Sequence, residues 1–283
     1  MTDMSGSAPS LLARLQLSVG PTAKLGDERA RSHDRIVVDA TARATGDPLI
    51  VTLFSAPPLG PDAAVLLDRF GRLRKLEHPS LELPVAQGEL DDCAWIVEPA
   101  PAVPSVADRL PIGAIPLTQG VSAIRDLARA LAALHRREIF HGAIELDVVR
   151  LDANGTRLGG FGLSLGASPR DDLDALGRVA WSLLSGERHP GAVRRLSRLR
   201  RGVSPRLDIF AASLLATNPA DRPQSAEAVL DALDAIPTPR RNPLTSIVDP
   251  GWHDGRPRVY HSFGWLLVCA AIVILVALLS SRA

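Results

Sequence analysis

The sequence predicts an α+β fold in two parts, a smaller strand-rich part followed by a larger helical one, with a linker and one transmembrane helix beyond them. Three observations carry this. β-Branched runs at 36–38 and 49–54 flank the turn Thr45-Gly46-Asp47, the pattern of a hairpin. Apolar residues recur at helical spacing within 65–76, 124–134 and 173–184. An uncharged apolar run covers Phe263 to Leu279. These elements divide the chain into a disordered start (1–10), a strand-rich part (11–100), a helical part (105–237), a linker (238–261) and a membrane span (262–281).

Composition bounds the function classes. The 283 residues carry a formal net charge of +1, which gives no global attraction to nucleic acid, so any electrostatic role is local. Basic charge is almost all arginine, with Lys24 and Lys75 as the only lysines, a bias of the kind GC-rich bacterial genomes encode. The two cysteines, Cys93 and Cys269, are too few and too far apart for a disulfide framework or a cysteine zinc site.

Residues 1–10 have no basic start and no apolar core, so no secretory signal is predicted. From Leu11 the pattern reads as strand, and Arg35–Val38 with Leu49–Phe54 forms the clearest hairpin. A helix is expected over Pro61–Glu77, with Pro61 in its first turn, Asp62 at its positive end, and Val65, Leu66, Phe70, Leu73 and Leu76 as its apolar face. Strands follow near Leu81–Val85 and Ala94–Val97, and the Pro-rich Glu98–Pro104 separates the two parts. The next helix is expected over Val121–Arg137, capped by Ser122. After it, Val148, Val149 and Leu151 read as extended, with a turn at Asn154-Gly155. A further helix starts at Ser168, where Pro169 takes the first turn, Asp171 and Asp172 complement the dipole, and Leu173, Leu176, Val179, Leu183 and Leu184 face inward.

The stretch from Leu134 to Leu165 resembles the catalytic core of eukaryotic-like serine/threonine protein kinases, in which an H-R-D-x-K-x-x-N loop precedes a hairpin and a D-F-G turn. His141 stands at the H of the loop, and Phe161 and Gly162 stand at F and G of the turn. The Glu77-His78-Pro79 text after the first helix, the Asp172 helix with its Trp181 and Gly186, and Pro219 to Pro223 before the last helix extend the similarity over roughly Val37–Ile236. The resemblance implies the bilobal protein-kinase-like fold. It also implies a spine of Leu73, His141 and Phe161 joining the lobes, with Asp172 accepting from the loop backbone.

The chemistry-bearing positions depart from the family. The catalytic aspartate becomes Ala143, the lysine two residues on becomes Glu145, the metal-binding asparagine becomes Val148, and the D-F-G aspartate becomes Gly160. The phosphate-pairing strand lysine becomes Thr52, and its helical glutamate partner falls at or near Arg69. The Gly-rich phosphate loop falls near Leu25-Gly26-Asp27-Glu28, where one glycine is followed by two acids. No A-P-E motif follows Phe161. The resemblance therefore implies a pseudokinase with no catalytic residue, no cofactor and no metal, serving as a scaffold or regulatory partner. Its partner would be a cytoplasmic protein, such as an active kinase or cell-envelope machinery. The alternatives are an atypical transferase with displaced groups drawn from Lys24, Glu145, Asp147 and Asp152, and a nucleotide sensor without catalysis.

Arg194, Arg195, Arg198, Arg200 and Arg201 cluster between two helices, and two readings stand: a solvated face, or a docking site for anionic lipid or an acidic partner. In the span, each Leu, Ile or Val favours insertion by about 0.3–0.6 kcal/mol. Arg240, Arg241, Arg256 and Arg258 precede it and Arg282 follows, which keeps the large domain cytoplasmic on the inner membrane as a single-pass, tail-anchored protein.

Overall fold

The strands of the small lobe are rich in β-branched residues, which suit a packed, pleated surface, and they pair antiparallel throughout. The protein is represented by a computed structural model that describes residues 10–33, 35–55, 62–161, 167–188 and 194–236. The chain divides into two compact units, Met1–Pro237 and Thr238–Ala283, and every described residue belongs to the first. The predicted linker and membrane span lie outside the described residues; among the described ones, no helix is long and apolar enough to cross a membrane.

The first element is a helix, α1 (Leu11–Val19), capped by Ser10, whose side chain accepts from the Ala13 N–H. The strand expected from Leu11 is overridden by this cap and by the burial of Leu15 and Val19 at helical spacing. Strands β1 (Ala23–Arg31), β2 (Arg35–Ala42) and β3 (Pro48–Phe54) follow. After helix α2 (Ala63–Leu73) come β4 (Ala86–Leu90) and β5 (Cys93–Pro99), completing a five-stranded antiparallel sheet in the order β1-β2-β3-β5-β4. The β4–β5 turn is Asp91-Asp92, both at positive φ, as tight hairpin turns require. Leu25–Glu28 lies inside β1 across a register shift, so the β1–β2 connection falls after Arg31 and not at the single glycine there. Lys24 is exposed in β1 opposite Thr41.

The sheet is covered on both faces. Leu49, Val51, Leu53, Trp95 and Val97 pack with Leu15 and Val19 of α1 in a separate small core. Trp95 Nε1 donates to Ser18 Oγ at 2.9 Å, and the Gln16 side chain both accepts from the Leu25 N–H and donates to Ala23 O. The opposite face, with Phe54, Ala94 and Ile96, meets α2 and the large lobe in the main core. Helix α2 starts two residues later than expected because Asp62 is the cap, accepting from Ala64 and Val65 N–H. Its buried face is Leu66, Arg69, Phe70 and Leu73, which turns Val65 out to 50% exposure. Among the described residues, the segment expected as a strand at Leu81–Val85 makes a single bridge, Leu81 to Leu158.

The large lobe opens with α3 (Val106–Arg109), held by a reciprocal Ser105/Asp108 capping box. Helix α4 (Leu117–His135) begins at Pro116, so Ser122 is interior and caps nothing. A 3-10 turn at Leu146–Val148 leads into the hairpin β6 (Val149–Asp152) and β7 (Gly155–Leu158), so Val148 ends a helical turn and does not begin the strand. Helix α5 (Pro169–Ser185) has the Ser168/Asp171 capping box and ends on Gly186 at φ 83°. Short α6 (Leu196–Leu199), then α7 (Pro205–Leu214) and α8 (Ala226–Asp234), complete the lobe around Leu176, Trp181 and Phe210.

Candidate functional site

Helix α5 begins under the loop that follows α4, and its capping box aims the next residue, Asp172, inward. Asp172 is 1% exposed. Its carboxylate accepts from the backbone N–H groups of His141 and Gly142, each at 2.8 Å, and meets His135 Nε2 at 2.9 Å. The loop conformation is thereby fixed by one buried side chain.

His141 is fully buried. Its Nδ1 accepts from the Ala143 N–H at 3.3 Å, so Nε2 carries the proton and donates to Gly159 O at 3.1 Å. Burial pushes its pKa down to about 4, against the pull of the Asp172 charge. The ring is neutral at physiological pH and packs on Phe161 with centroids 4.8 Å apart. Leu73 and Phe161 are buried in the main core with their surrounding helices and hairpin. Arg69, on the inner face of α2, donates to His141 O at 3.5 Å. Burial lowers its pKa while the Asp172 charge raises it, which places a buried cation of the small lobe in the field of a buried anion of the large lobe.

Ala143, Glu145, Val148, Gly160 and Thr52 are the residues that the sequence resemblance matches to the chemistry-bearing positions of kinases. Ala143 is half-buried and its N–H is used by His141; Glu145 is exposed. Thr52 is 8% exposed in β3, directly opposite Ile96 of β5, on the face turned to the large lobe. Gly160 has φ 63°, a conformation costly to any residue with a Cβ. A Cβ there would lie 2.5 Å from Val148 Cγ1, so the valine occupies the volume a side chain at 160 would need. Val148 and Gly160 do not fit a divalent ion, because neither side chain offers an oxygen and the valine methyl packs over the bare backbone of the glycine. Among the described residues no group of three or more His, Cys, Asp or Glu could hold a metal ion. Gly162 lies outside the described residues.

Sequence reading missed a polar cluster beside this packing. Arg150 of β6 reaches Glu82 with Nη1–Oε2 at 3.5 Å, while its Nε has no hydrogen-bond partner among the described residues. Glu98, near the end of β5, is half-buried as a residue, yet its Oε1 is sealed from solvent and has no hydrogen-bond partner among the described residues. Burial, then the nearby Glu82 charge, pushes the Glu98 pKa up to about 7, with Arg150 opposing. Burial also raises the Glu82 carboxyl, with Arg150 and Arg157 opposing. No sequence pattern announces this cluster, because its members come from the segment before β4, from β5 and from β6.

The arginine segment is divided by the fold. Arg200 turns inward, donating to Leu184 O at 3.2 Å and to Ile115 O, and burial lowers its pKa. Arg194 pairs with Glu187 at 3.8 Å, and Arg194, Arg195, Arg198 and Arg201 are exposed.

The steric reading of residue 160 gives a stability prediction. Gly160→Ala is expected to destabilise by about 1–3 kcal/mol through overpacking against Val148 and an unfavourable φ. Gly160→Ala with Val148→Ala should recover part of that loss. Denaturant melts of both variants check this, and a neutral single substitution rejects the steric conflict.

No protein-family model matches the sequence, and no curated protein matches it. Among solved structures the chain is similar to the crystal structure of Rad53 1–466 in complex with AMP-PNP, with a TM-score of 0.62 and 17% sequence identity. The match covers 76% of this chain and 65% of that one, so the chain spans about two thirds of its neighbour's length. At this identity the likeness speaks to architecture alone. With its five-stranded lobe, its helical lobe and the loop anchored by a buried aspartate, the chain has a protein-kinase-like fold.

Proposed function

We propose that this chain is a catalytically inactive protein-kinase-like domain, a pseudokinase, tethered to the cytoplasmic face of a membrane and serving as a scaffold or regulatory partner in signalling. The observation that carries the reading is the packing of Val148 into the volume above Gly160. Phosphoryl transfer in this fold depends on positioned metal ions, a base for the substrate hydroxyl and a lysine on the phosphates. A missing general base alone costs about 10²–10⁴ in rate. Here Ala143, Val148, Gly160 and Thr52 supply none of these groups. What remains is a packed frame in which Asp172, His141 and Phe161 hold the loop and Arg69 of the small lobe reaches it, which suits a protein whose product is a surface.

Membrane tethering is supported by the sequence. The uncharged run at 263–279 is long enough for the roughly 30 Å hydrocarbon layer, and arginines cluster before it. The partner is a cytoplasmic protein, and no nucleic acid is expected at a net charge of +1. An atypical transferase with displaced groups draws no comparable support: Lys24 is exposed on β1, and Glu145 and Asp147 are exposed and unclustered.

Thermal unfolding of the full chain with and without magnesium and ATP tests the reading. Binding at 100 times Kd stabilises by about 2.7 kcal/mol, so the expected result is no metal-dependent shift at millimolar nucleotide. A shift abolished by chelator, or transfer of the γ-phosphate to any acceptor, rejects it.

A further inference from the structure

We propose that the face carrying Arg194, Arg195, Arg198 and Arg201, together with Ile112, is a docking surface for an anionic lipid bilayer. The proposal rests on the reading of 262–281 as a membrane anchor, which brings the domain to lipid in the first place.

The face is built and held, not a loose basic tail. Asp208 fixes the start of α6 by accepting from the Leu196 N–H at 2.8 Å and from Ser197 Oγ at 2.6 Å. Arg200 locks the other end onto Leu184 O and Ile115 O. Next to it, a Cβ on Gly202 would touch Leu117, so the 200–202 segment lies along the 115–117 stretch. Ile112, on the loop leading into that stretch, is 69% exposed. The arginine directed inward is thus the one that ties the basic segment to the loop bearing the exposed isoleucine.

Charge selects the occupant. Arg195, Arg198 and Arg201 make no ion pair among the described residues, and Arg194 has only Glu187 at 3.8 Å. Asp208 is engaged by its two donors. The chain as a whole is nearly neutral, so this is a local positive field. The sequence of 238–261, rich in Pro, Arg and Gly, reads as the tether between the domain and the proposed anchor. A tether to the proposed anchor makes contact with the bilayer an intramolecular event. An exposed isoleucine on the loop tied to the basic segment suits the headgroup boundary, where isoleucine enters the acyl edge and arginine stays with phosphate.

The test uses the full chain with vesicles of phosphatidylcholine alone or mixed with phosphatidylglycerol. Flotation on neutral vesicles after an alkaline carbonate wash reports the anchor. Hydrogen exchange over 110–117 and 194–202 reports the docking face. Each arginine near an anionic surface contributes about fivefold in partitioning. Protection of both stretches is expected only with anionic vesicles. It should be lost in molar salt, where the screening length falls to about 3 Å. It should also be lost in the variant Arg194→Gln/Arg195→Gln/Arg198→Gln/Arg201→Gln, and Ile112→Ser should weaken it. Equal exchange on neutral and anionic vesicles, or protection that survives the four substitutions, overturns the proposal. A chain that fails to float on neutral vesicles but is protected on anionic ones keeps the docking face and removes the anchor.

Discussion

Asp172→Ala is expected to lower stability by about 3–5 kcal/mol, although the proposed function assigns it no catalysis. Its carboxylate is 1% exposed and is the acceptor for two loop N–H groups at 2.8 Å. Leaving buried donors unpaired costs about 1–3 kcal/mol each. The same substitution removes the anion whose field supports the buried Arg69 guanidinium, and stranding one member of such an arrangement is itself strongly destabilising. For a domain of this size each kcal/mol shifts the melting temperature by about 2–4 °C, so the transition should fall by on the order of 10 °C. Asp172→Asn keeps one acceptor and should fall less. Denaturant and thermal melts decide it, and an unchanged transition in the alanine variant would mean that the loop does not depend on this carboxylate.

Glu98→Gln should raise stability at alkaline pH and leave it unchanged in acid. The folded protein holds the Glu98 proton up to about pH 7, whereas an unfolded chain releases it near 4.5. Between those values the folded state binds more protons than the unfolded one, so stability falls as pH rises. The full difference is on the order of 3 kcal/mol. His141 runs the other way: its folded pKa is about 4 against 6.5 for an ordinary imidazole, so its contribution is present above 6.5 and lost as pH falls. In the native protein the two slopes oppose each other between about pH 4.5 and 6.5, and the profile should be nearly flat there. The glutamine variant removes the falling slope, so its stability should climb from pH 4 to 6.5 and exceed the native protein by roughly 3 kcal/mol at pH 8. Equilibrium denaturation at pH 4, 5.5 and 8 separates the curves. A constant offset across all three would show that Glu98 is not the group holding the proton; Glu82 and Arg150 are the charged neighbours that set its environment.

The mixed fold was legible in the sequence because its signals are local. The β2–β3 hairpin follows from β-branched runs across a Gly-Asp turn. Helix α5 follows from Ser168, Pro169 and Asp171, whose capping geometry depends on four consecutive residues. The errors arose where a tertiary contact outweighed a local preference. Leu11–Val19 became helix because Leu15 and Val19 gain a sheet face to cover. Helix α4 extends back to Leu117, where Gly120 lets it approach the Leu183 backbone, so the attractive cap at Ser122 is unused.

What the sequence by itself determined is side-chain identity: Ala143, Val148, Gly160 and Thr52 carry no acid, amide or amine, whatever the fold around them. Only the tertiary structure decided what surrounds such residues. Val148 fills the volume above Gly160, Glu98 and Arg150 each bury a polar atom with no partner among the described residues, and Arg200 withdraws from a cluster that the sequence presents as uniform. The reason is that identity is a property of one residue, while volume, desolvation and hydrogen-bond partnership are set by neighbours brought from distant parts of the chain.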